Sequence, residues 1–289
     1  MAISAAQVKE LRDKTGAGMM DCKKALTESD GDFEKAIEIL RKKGASVAAK
    51  RAERAANEGM VLTSISDDKK TGYIVEVNCE TDFVAKSDDF VNFANNVLKA
   101  FVANPVESVD ELFKVEFEGR AIGDRLTDAI GKIGEKIEVS RVAKVTSENG
   151  IVVDYIHHGS KLGVALVSEN VPAEGADEFA GLMKDIAMQI AAMNPLYLNR
   201  DEVPEEAINK ELDIYKEIAR KEGKPEQIID RIAEGKLKKY YEENCLVEQA
   251  FVKDNAKKVG DLIDEFNKAH SSEASLKLFK RFHLSDENK

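Results

Sequence analysis

The chain has 289 residues, of which 43% are hydrophobic, and its formal net charge is -11 at pH 7. This length favours two or more compact units. The negative charge repels phosphate backbones, so we expect no nucleic-acid partner. No apolar run approaches the roughly 18 residues that span a bilayer, and the charged start MAISAAQVKELRDK lacks the apolar segment of a secretion signal. We therefore expect a cytoplasmic protein that has no membrane partner.

The three cysteines, Cys22, Cys79 and Cys245, are odd in number, widely spaced and outside any CxxC pair. We interpret them as reduced structural residues. These thiols and the four histidines show no spacing typical of metal ligands, so we expect neither a metal site nor a bound cofactor.

The first 43 residues predict three short helices. Ser4 can cap the first helix, and the third helix ends before Gly44. The basic segment at residues 41–54 carries six cations and one acid, and we interpret it as a solvated helix end and linker. Met19 and Met20 lie beside a glycine turn, where they are either core residues or an adaptable docking surface for a partner's helix.

Beyond residue 55 the sequence repeats itself. EGMVLTSI (58–65) matches NGIVVDYI (149–156) at an offset of 91, whereas LFKVEF (112–117) matches LVEQAF (246–251) at an offset of 134. Two related subdomains explain both series of matches, if the second subdomain contains an insert of about 45 residues. Each subdomain predicts the order strand, strand, helix, strand, helix, strand, which indicates an α+β fold with antiparallel sheets.

The insert predicts two helices that form an antiparallel arm around a turn at Gly223, Lys224 and Pro225. Three functions of the arm stay open: a spacer or folding staple, a homodimer contact, and a contact with a partner. The predicted organisation is an N-terminal three-helix domain with a basic linker, followed by two core subdomains, the second interrupted by the arm. Their predicted boundaries are 1–55, 56–145 and 146–289, with the arm at about 198–245.

Two segments, LRDKTGAGMMDCKKAL (Leu11 to Leu26) and EVNCETDFVAK (Glu76 to Lys86), resemble the signature stretches of elongation factor Ts. That family exchanges guanine nucleotide on the translational GTPase elongation factor Tu. The resemblance implies an N-terminal domain similar to ubiquitin-associated domains, two related core subdomains and a coiled-coil arm. It also implies elongation factor Tu as partner, with a homodimer of this chain or a 2:2 complex with the GTPase as the alternative assemblies. It implies no catalytic residues, no cofactor and no direct nucleotide binding by this chain.

The resemblance further implies which residues face the GTPase. The loop formed by residues 81–84 would reach the magnesium site of the GTPase, where Phe83 would wedge between helices. A second hairpin, the N-terminal helices and a segment near residue 251 would supply further contacts. The implied partner-binding residues are Thr81, Asp82, Phe83, Val84, His158, Gly159, Arg12, Met19, Met20, Phe251 and Val252.

The sequence also allows two alternative functions, an enzyme and a binding adaptor. An enzyme could use Cys79 as nucleophile and His158 as base, provided that the two side chains lie within hydrogen-bond reach. A helical-peptide adaptor without exchange activity could instead be built on the N-terminal domain. Such an adaptor would bind empty and nucleotide-loaded partners equally well.

Overall fold

The structure, a computed structural model, describes residues 3–286. Three helices open the chain: α1 (Ala5–Thr15), α2 (Met19–Glu28) and α3 (Phe33–Arg51). Ser4 caps α1, because its Oγ accepts the Gln7 N–H at 3.2 Å while the Gln7 Oε1 accepts the Ser4 N–H at 3.0 Å. The predicted cap is therefore confirmed. A small apolar core that includes Leu11 and Leu26 holds the three helices together.

The first α+β unit follows these helices. Its central strand is flanked on both sides, in the antiparallel order β1-β2-β5. Helices α5 and α7 cover one face of this sheet, and Val75, Val77 and Phe90 are buried between them. In chain order, the elements are β1 (Glu58–Ile65), β2 (Thr71–Cys79), α4 (Asp82–Ala85), α5 (Asp88–Ala103), α6 (Val109–Leu112), β3 (Glu116–Phe117), β4 (Arg120–Ala121), α7 (Ile122–Ile133) and β5 (Ile137–Thr146).

The second α+β unit has the same connectivity. Its sheet has the antiparallel order β10-β7-β6, and helices α8 and α11 cover one face. The predicted α+β fold with two related antiparallel sheets is therefore confirmed. In chain order, the elements are β6 (Val152–Ile156), β7 (Leu162–Glu169), α8 (Ala176–Met193), α9 (Glu205–Lys221), α10 (Glu226–Asn244), β8 (Ala250–Phe251), β9 (Asp254–Lys258), α11 (Val259–His270) and β10 (Ser275–His283).

The strand predicted between the two helices of each unit is instead a short hairpin. In the first unit, β3 and β4 are two residues long and pair across Glu118 and Gly119, which both have positive φ. The end of α6 occupies the start of the segment predicted as a strand, because Ser108 caps a helical turn there. The hairpin β8–β9 takes the same place in the second unit.

The two sheets pack face to face, so the layer order is helices, sheet, sheet, helices. Gly72 and Gly163 allow this close approach. A Cβ at Gly72 would lie 2.7 Å from Val152 Cγ1, and a Cβ at Gly163 would lie 2.6 Å from Val61 Cγ1. Because both faces of the central strands are covered, β2 and β7 are buried along almost their whole length.

The third helix does not end before Gly44, so that prediction is wrong. Helix α3 runs through Gly44 to Arg51 and crosses α7. A Cβ at Gly44 would lie 3.1 Å from Thr127 O, and a Cβ at Gly131 would lie 3.0 Å from Gly44 Cα. Glycine therefore allows two helices to cross closely here, and most of the basic segment 41–54 is helical.

The arm is formed by α9 and α10, which pack against each other around a turn where Gly223 has a φ of 73°. Its seam buries Ala219, Ile229 and Ala233. At its base, Asn244 O accepts the N–H groups of both Leu196 and Tyr197, at 3.0 and 3.1 Å. Within residues 3–286, no helix combines the length and apolarity needed to cross a membrane.

Candidate partner-binding site

Phe83 lies on the single helical turn α4, between the end of β2 and the start of α5. Its side chain is 83% exposed, more than any other large hydrophobic side chain that the structure describes. Its neighbours Val84 and Ala85 pack instead against the core of the first unit. The turn thus faces the core with one side and presents an aromatic ring to solvent with the other.

Hydrogen bonds fix both ends of this turn. Thr81 caps α4, because its Oγ accepts the Val84 N–H at 3.3 Å. Ser87 Oγ donates to Val84 O at 2.8 Å and accepts the Phe90 N–H at 3.4 Å, which caps α5. Between these caps, Asp82 forms an ion pair with Lys86 at 2.9 Å. The resemblance implied a loop here, and the structure shows a turn capped at each end.

Glu135 anchors the start of the turn from the segment between α7 and β5. Its Oε2 accepts the Thr81 N–H at 3.1 Å, and its Oε1 accepts the Thr81 hydroxyl proton at 2.9 Å. Glu135 was not predicted as a site residue, since it lies 54 positions from Thr81 in the sequence. We find no signal in the sequence that would have paired the two.

Glu80 ties the same region to the N-terminal helices. Its carboxylate accepts the Lys136 N–H at 2.6 Å and pairs with Arg51 at 2.6 Å and Arg54 at 3.0 Å. Burial alone would raise the pKa of Glu80, but the N–H and the two guanidinium groups outweigh burial and lower this pKa to about 2. Two cations of the basic segment therefore serve an internal contact, which supports a structural interpretation of this segment.

His158 and Gly159 form the exposed tip of the hairpin between β6 and β7, where Gly159 has a φ of 88°. Ser160 O next to this tip accepts the Val61 N–H of β1 at 2.7 Å. Lys161 forms an ion pair with Glu58 at 2.6 Å. The hairpin of the second unit therefore docks on the first strand of the first unit.

Contacts through β1 place this hairpin close to the Phe83 turn, because Lys161 pairs with Glu58, and Glu58 lies opposite Cys79 at the end of β2. The pKa of Asp82 is lowered mainly by its hydrogen bond from Lys86, and the charge of Lys161 lowers this pKa further. Helix α4 also packs on β1, the strand that receives the hairpin. The structure therefore brings residues 81–84 and 158–159 to the same end of the molecule.

Arg12, Met19 and Met20 are exposed around the turn between α1 and α2. The exposed fractions are 49% for Met19 and 72% for Met20. The core alternative for these methionines is therefore wrong, and a docking surface remains. Lys132 of α7 reaches this turn, because a Cβ at Gly16 would lie 2.9 Å from its Nζ.

Phe251 and Val252 differ from each other in exposure. Phe251 is only 6% exposed and belongs to the core of the second unit, whereas Val252 is 48% exposed at the tip of hairpin β8–β9. Gln189 of α8 holds this tip, since its Oε1 accepts the Val252 N–H at 2.8 Å. Of this pair, only Val252 offers a side chain to a partner, and it lies on the helix layer opposite to that of Phe83.

Cys79 lacks the properties of a nucleophile. Burial raises the pKa of its thiol to about 12, and the carboxylate of Glu135 acts in the same direction. The thiol donates a hydrogen bond to Thr81 O at 3.2 Å. Among residues 3–286, no group of three or more His, Cys, Asp or Glu side chains is arranged to hold a metal ion.

Comparison with known proteins points to the same family as the two signature segments. The family model described as Elongation factor TS matches residues 80–286. A protein named elongation factor Ts from Chlorobium phaeobacteroides is 48% identical over 286 residues, which cover 98% of each chain. Its namesake from Clostridium botulinum (strain Alaska E43) is 48% identical over 282 residues, which cover 97% of this chain and 92% of the relative. The chain belongs to the elongation factor Ts family and is a translation elongation factor.

Proposed function

We propose that this chain is a cytoplasmic guanine-nucleotide exchange factor for elongation factor Tu and promotes GDP release by disturbing the magnesium and phosphate site. The observation that carries the proposal is the exposed ring of Phe83 on a turn held at both ends. An apolar side chain held in this way is ready to enter a partner without prior ordering of its backbone. Family membership supports the same partner.

The physical basis is thermodynamic linkage. Nucleotide and exchange factor weaken each other's binding to the GTPase by the same factor. The chain can therefore release nucleotide only if it binds the empty GTPase more tightly than the loaded one. Magnesium is a suitable point of attack, because it bridges phosphate oxygens and requires a nearly ideal octahedral arrangement of ligands.

The interface has to be broader than one side chain. Burial of a phenylalanine contributes roughly 1.5 to 3 kcal/mol of binding free energy, whereas nanomolar nucleotide binding corresponds to about 12 kcal/mol. In our proposal Met19 and Met20, the hairpin tip at His158, and Val252 supply further contacts. These residues lie on three separate elements, which suits a long protein that binds an extended surface.

The proposal is tested by measuring affinities for two states of the GTPase. We expect the dissociation constant for nucleotide-free elongation factor Tu to be lower than that for the GDP-bound form by about tenfold or more. Excess magnesium should weaken binding further when GDP is present, because it stabilises the competing complex.

A helical-peptide adaptor is the second candidate. The exposed methionines at the start of α2 favour it, since they offer a flexible apolar contact that does not require Phe83. The adaptor predicts equal affinity for the empty and loaded GTPase, and no effect of magnesium. Equal affinities would therefore replace the exchange proposal with the adaptor.

A further inference from the structure

We propose that Glu135 is a positioning residue for exchange: its carboxylate holds turn α4 in the orientation that presents Phe83. The inference rests on the proposed function, because the effect of Glu135 is exerted through Phe83 on the GTPase. No part of it requires Glu135 to touch the partner.

Glu135 and Glu80 form two side-chain hydrogen bonds that extend the pairing of β2 and β5. The ladder between these strands ends at the pair of Cys79 with Ile137. Beyond this pair, side-chain carboxylates replace backbone carbonyls as acceptors. Glu80 accepts the Lys136 N–H at 2.6 Å, and Glu135 accepts the Thr81 N–H at 3.1 Å. Two reciprocal bonds thus fix the exit of β2 before the chain enters α4.

The hydroxyl of Thr81 connects Glu135 to the backbone of the turn. It donates its one proton to Glu135 at 2.9 Å, which leaves its oxygen free to accept the Val84 N–H at 3.3 Å. Charge-assisted bonds of this kind are stronger than neutral ones. The carboxylate therefore sets the direction of the hydroxyl that caps α4.

The turn depends on such anchors because it is too short to be stable alone. Helix α4 has four residues, and its backbone closes through the Ala85 N–H to Thr81 O bond at 3.1 Å. A single turn has the cost of helix nucleation without the gain of propagation. Phe83 itself is exposed, so the backbone of α4 rather than side-chain packing sets the direction of its ring.

Substitutions of Glu135 and Thr81, the two partners of the hydroxyl–carboxylate bond, distinguish a role in positioning Phe83 from a role in folding. Glu135→Gln keeps the size of the side chain but replaces one acceptor oxygen with a donor group, so the side chain can no longer accept both the N–H and the hydroxyl proton of Thr81, and neither bond keeps its charge assistance. Thr81→Val keeps the shape of the side chain and removes the hydroxyl, whereas Thr81→Ser retains the hydroxyl. Glu138→Gln, three residues from Glu135 on β5, is the matched control.

The experiment measures release of labelled GDP from elongation factor Tu over a range of concentrations of each variant. We expect Glu135→Gln and Thr81→Val to lower the maximal rate about tenfold, the factor typical for loss of one hydrogen bond, with little change in the half-saturating concentration. Thr81→Ser, which restores the hydroxyl, should recover most of the rate that Thr81→Val loses, and Glu138→Gln should behave as the wild type. In a Phe83→Ala background, Glu135→Gln should cause no further loss, because both changes remove the same contribution.

Amide hydrogen exchange of the free chain gives a second readout. Glu135→Gln should speed exchange at Val84, whose N–H bonds to Thr81, while amides of β2 stay protected. Unchanged exchange at Val84 would overturn the proposal, as would a full GDP-release rate for Glu135→Gln beside an active wild type. A further loss in the Phe83→Ala background would show that Glu135 contacts the partner directly. If the wild type itself releases no GDP, the proposed function fails, and the role of Glu135 in exchange fails with it.

Discussion

At the scale of single residues, Phe83 and Val84 show how adjacent residues of one turn can serve differently, one by packing in the core and the other by exposing its side chain. Successive residues of a helix point about 100° apart, so Val84 faces the core while Phe83 faces solvent. Because the ring of Phe83 is exposed, its burial contributes almost nothing to the stability of the free chain. In our proposal, the ring becomes buried when a partner binds the turn.

The exposed methionines give the first prediction. Met19→Ala combined with Met20→Ala should weaken binding to the GTPase several-fold, because each removes an exposed apolar contact, and should leave helix content unchanged. Calorimetric titration and circular dichroism measure the two effects. Met193→Ala is the matched control, since Met193 has the same 49% exposure as Met19 but lies at the end of α8. Destabilisation by about 2 to 5 kcal/mol, the cost of a buried methionine, would contradict the docking role.

The sequence predicted part of the site and missed its supports. The resemblance to elongation factor Ts pointed to Phe83, and the methionines stood out because they adjoin a glycine turn. Glu80 and Glu135 did not, since their partners are far away in sequence: Arg51 lies 29 positions before Glu80, and Glu135 lies 54 positions after Thr81. Such bonds arise from the tertiary fold and leave no local pattern.

At the scale of elements, the crossing of α3 and α7 gives the second prediction. Gly44→Leu should destabilise the protein by about 1 to 3 kcal/mol, because the new side chain would collide with the backbone of α7. The matched control is Gly235→Leu in α10, where a Cβ meets nothing within 4 Å. That change should stabilise the protein by roughly 0.5 to 1 kcal/mol through helix propensity. Chemical denaturation distinguishes the two, and equal effects would show that the crossing is not tight.

The arm gives the third prediction. Replacing residues 205–243 by a short Gly/Ser linker should leave a core that melts cooperatively, since α9 and α10 bury their seam mainly against each other. Val203 and Asn244 are retained, because the former is buried and the latter accepts backbone bonds at the base. Near-ultraviolet circular dichroism during heating measures fixed tertiary packing. Its complete loss at low temperature would show that the arm is part of the core.

At the scale of the whole molecule, Glu80 links three parts of the chain: α3, the end of β2 and the segment before β5. The pKa of its carboxyl is about 2 in the folded chain, below the ordinary value of 4.5. The ionised group therefore stabilises the fold above pH 4.5, and this stabilisation disappears as the pH falls from 4.5 towards 2.

The fourth prediction follows from this pKa. Glu80→Gln should lower the unfolding free energy by roughly 2 to 3 kcal/mol at neutral pH, and the difference from the wild type should shrink as the pH falls from 4.5 towards 2. Denaturant unfolding at a series of pH values measures this difference. Exposed Glu53, next to the same arginines, provides the control Glu53→Gln. A difference that stays constant down to pH 2 would show that the charge of Glu80 is not what stabilises the fold.

The overall architecture was predictable because the repeat is a property of the sequence. Matches of 58–65 with 149–156 led to two related sheets, and the structure confirms them as β1-β2-β5 and β6-β7-β10. The helix end expected before Gly44 was wrong, because a glycine that ends one helix can allow another to cross closely. Whether glycine stops a helix depends on the neighbour that it meets in the folded chain.

The most direct test of the account is release of labelled GDP from elongation factor Tu with wild type, Phe83→Ala or no factor. We predict that the wild type accelerates release strongly, that excess magnesium opposes it, and that Phe83→Ala loses roughly tenfold or more of the acceleration, as expected from the burial energy of one phenylalanine. The melting temperature of Phe83→Ala should match that of the wild type. If the wild type leaves the rate of GDP release unchanged, or if folded Phe83→Ala accelerates release as well as the wild type, the account is contradicted.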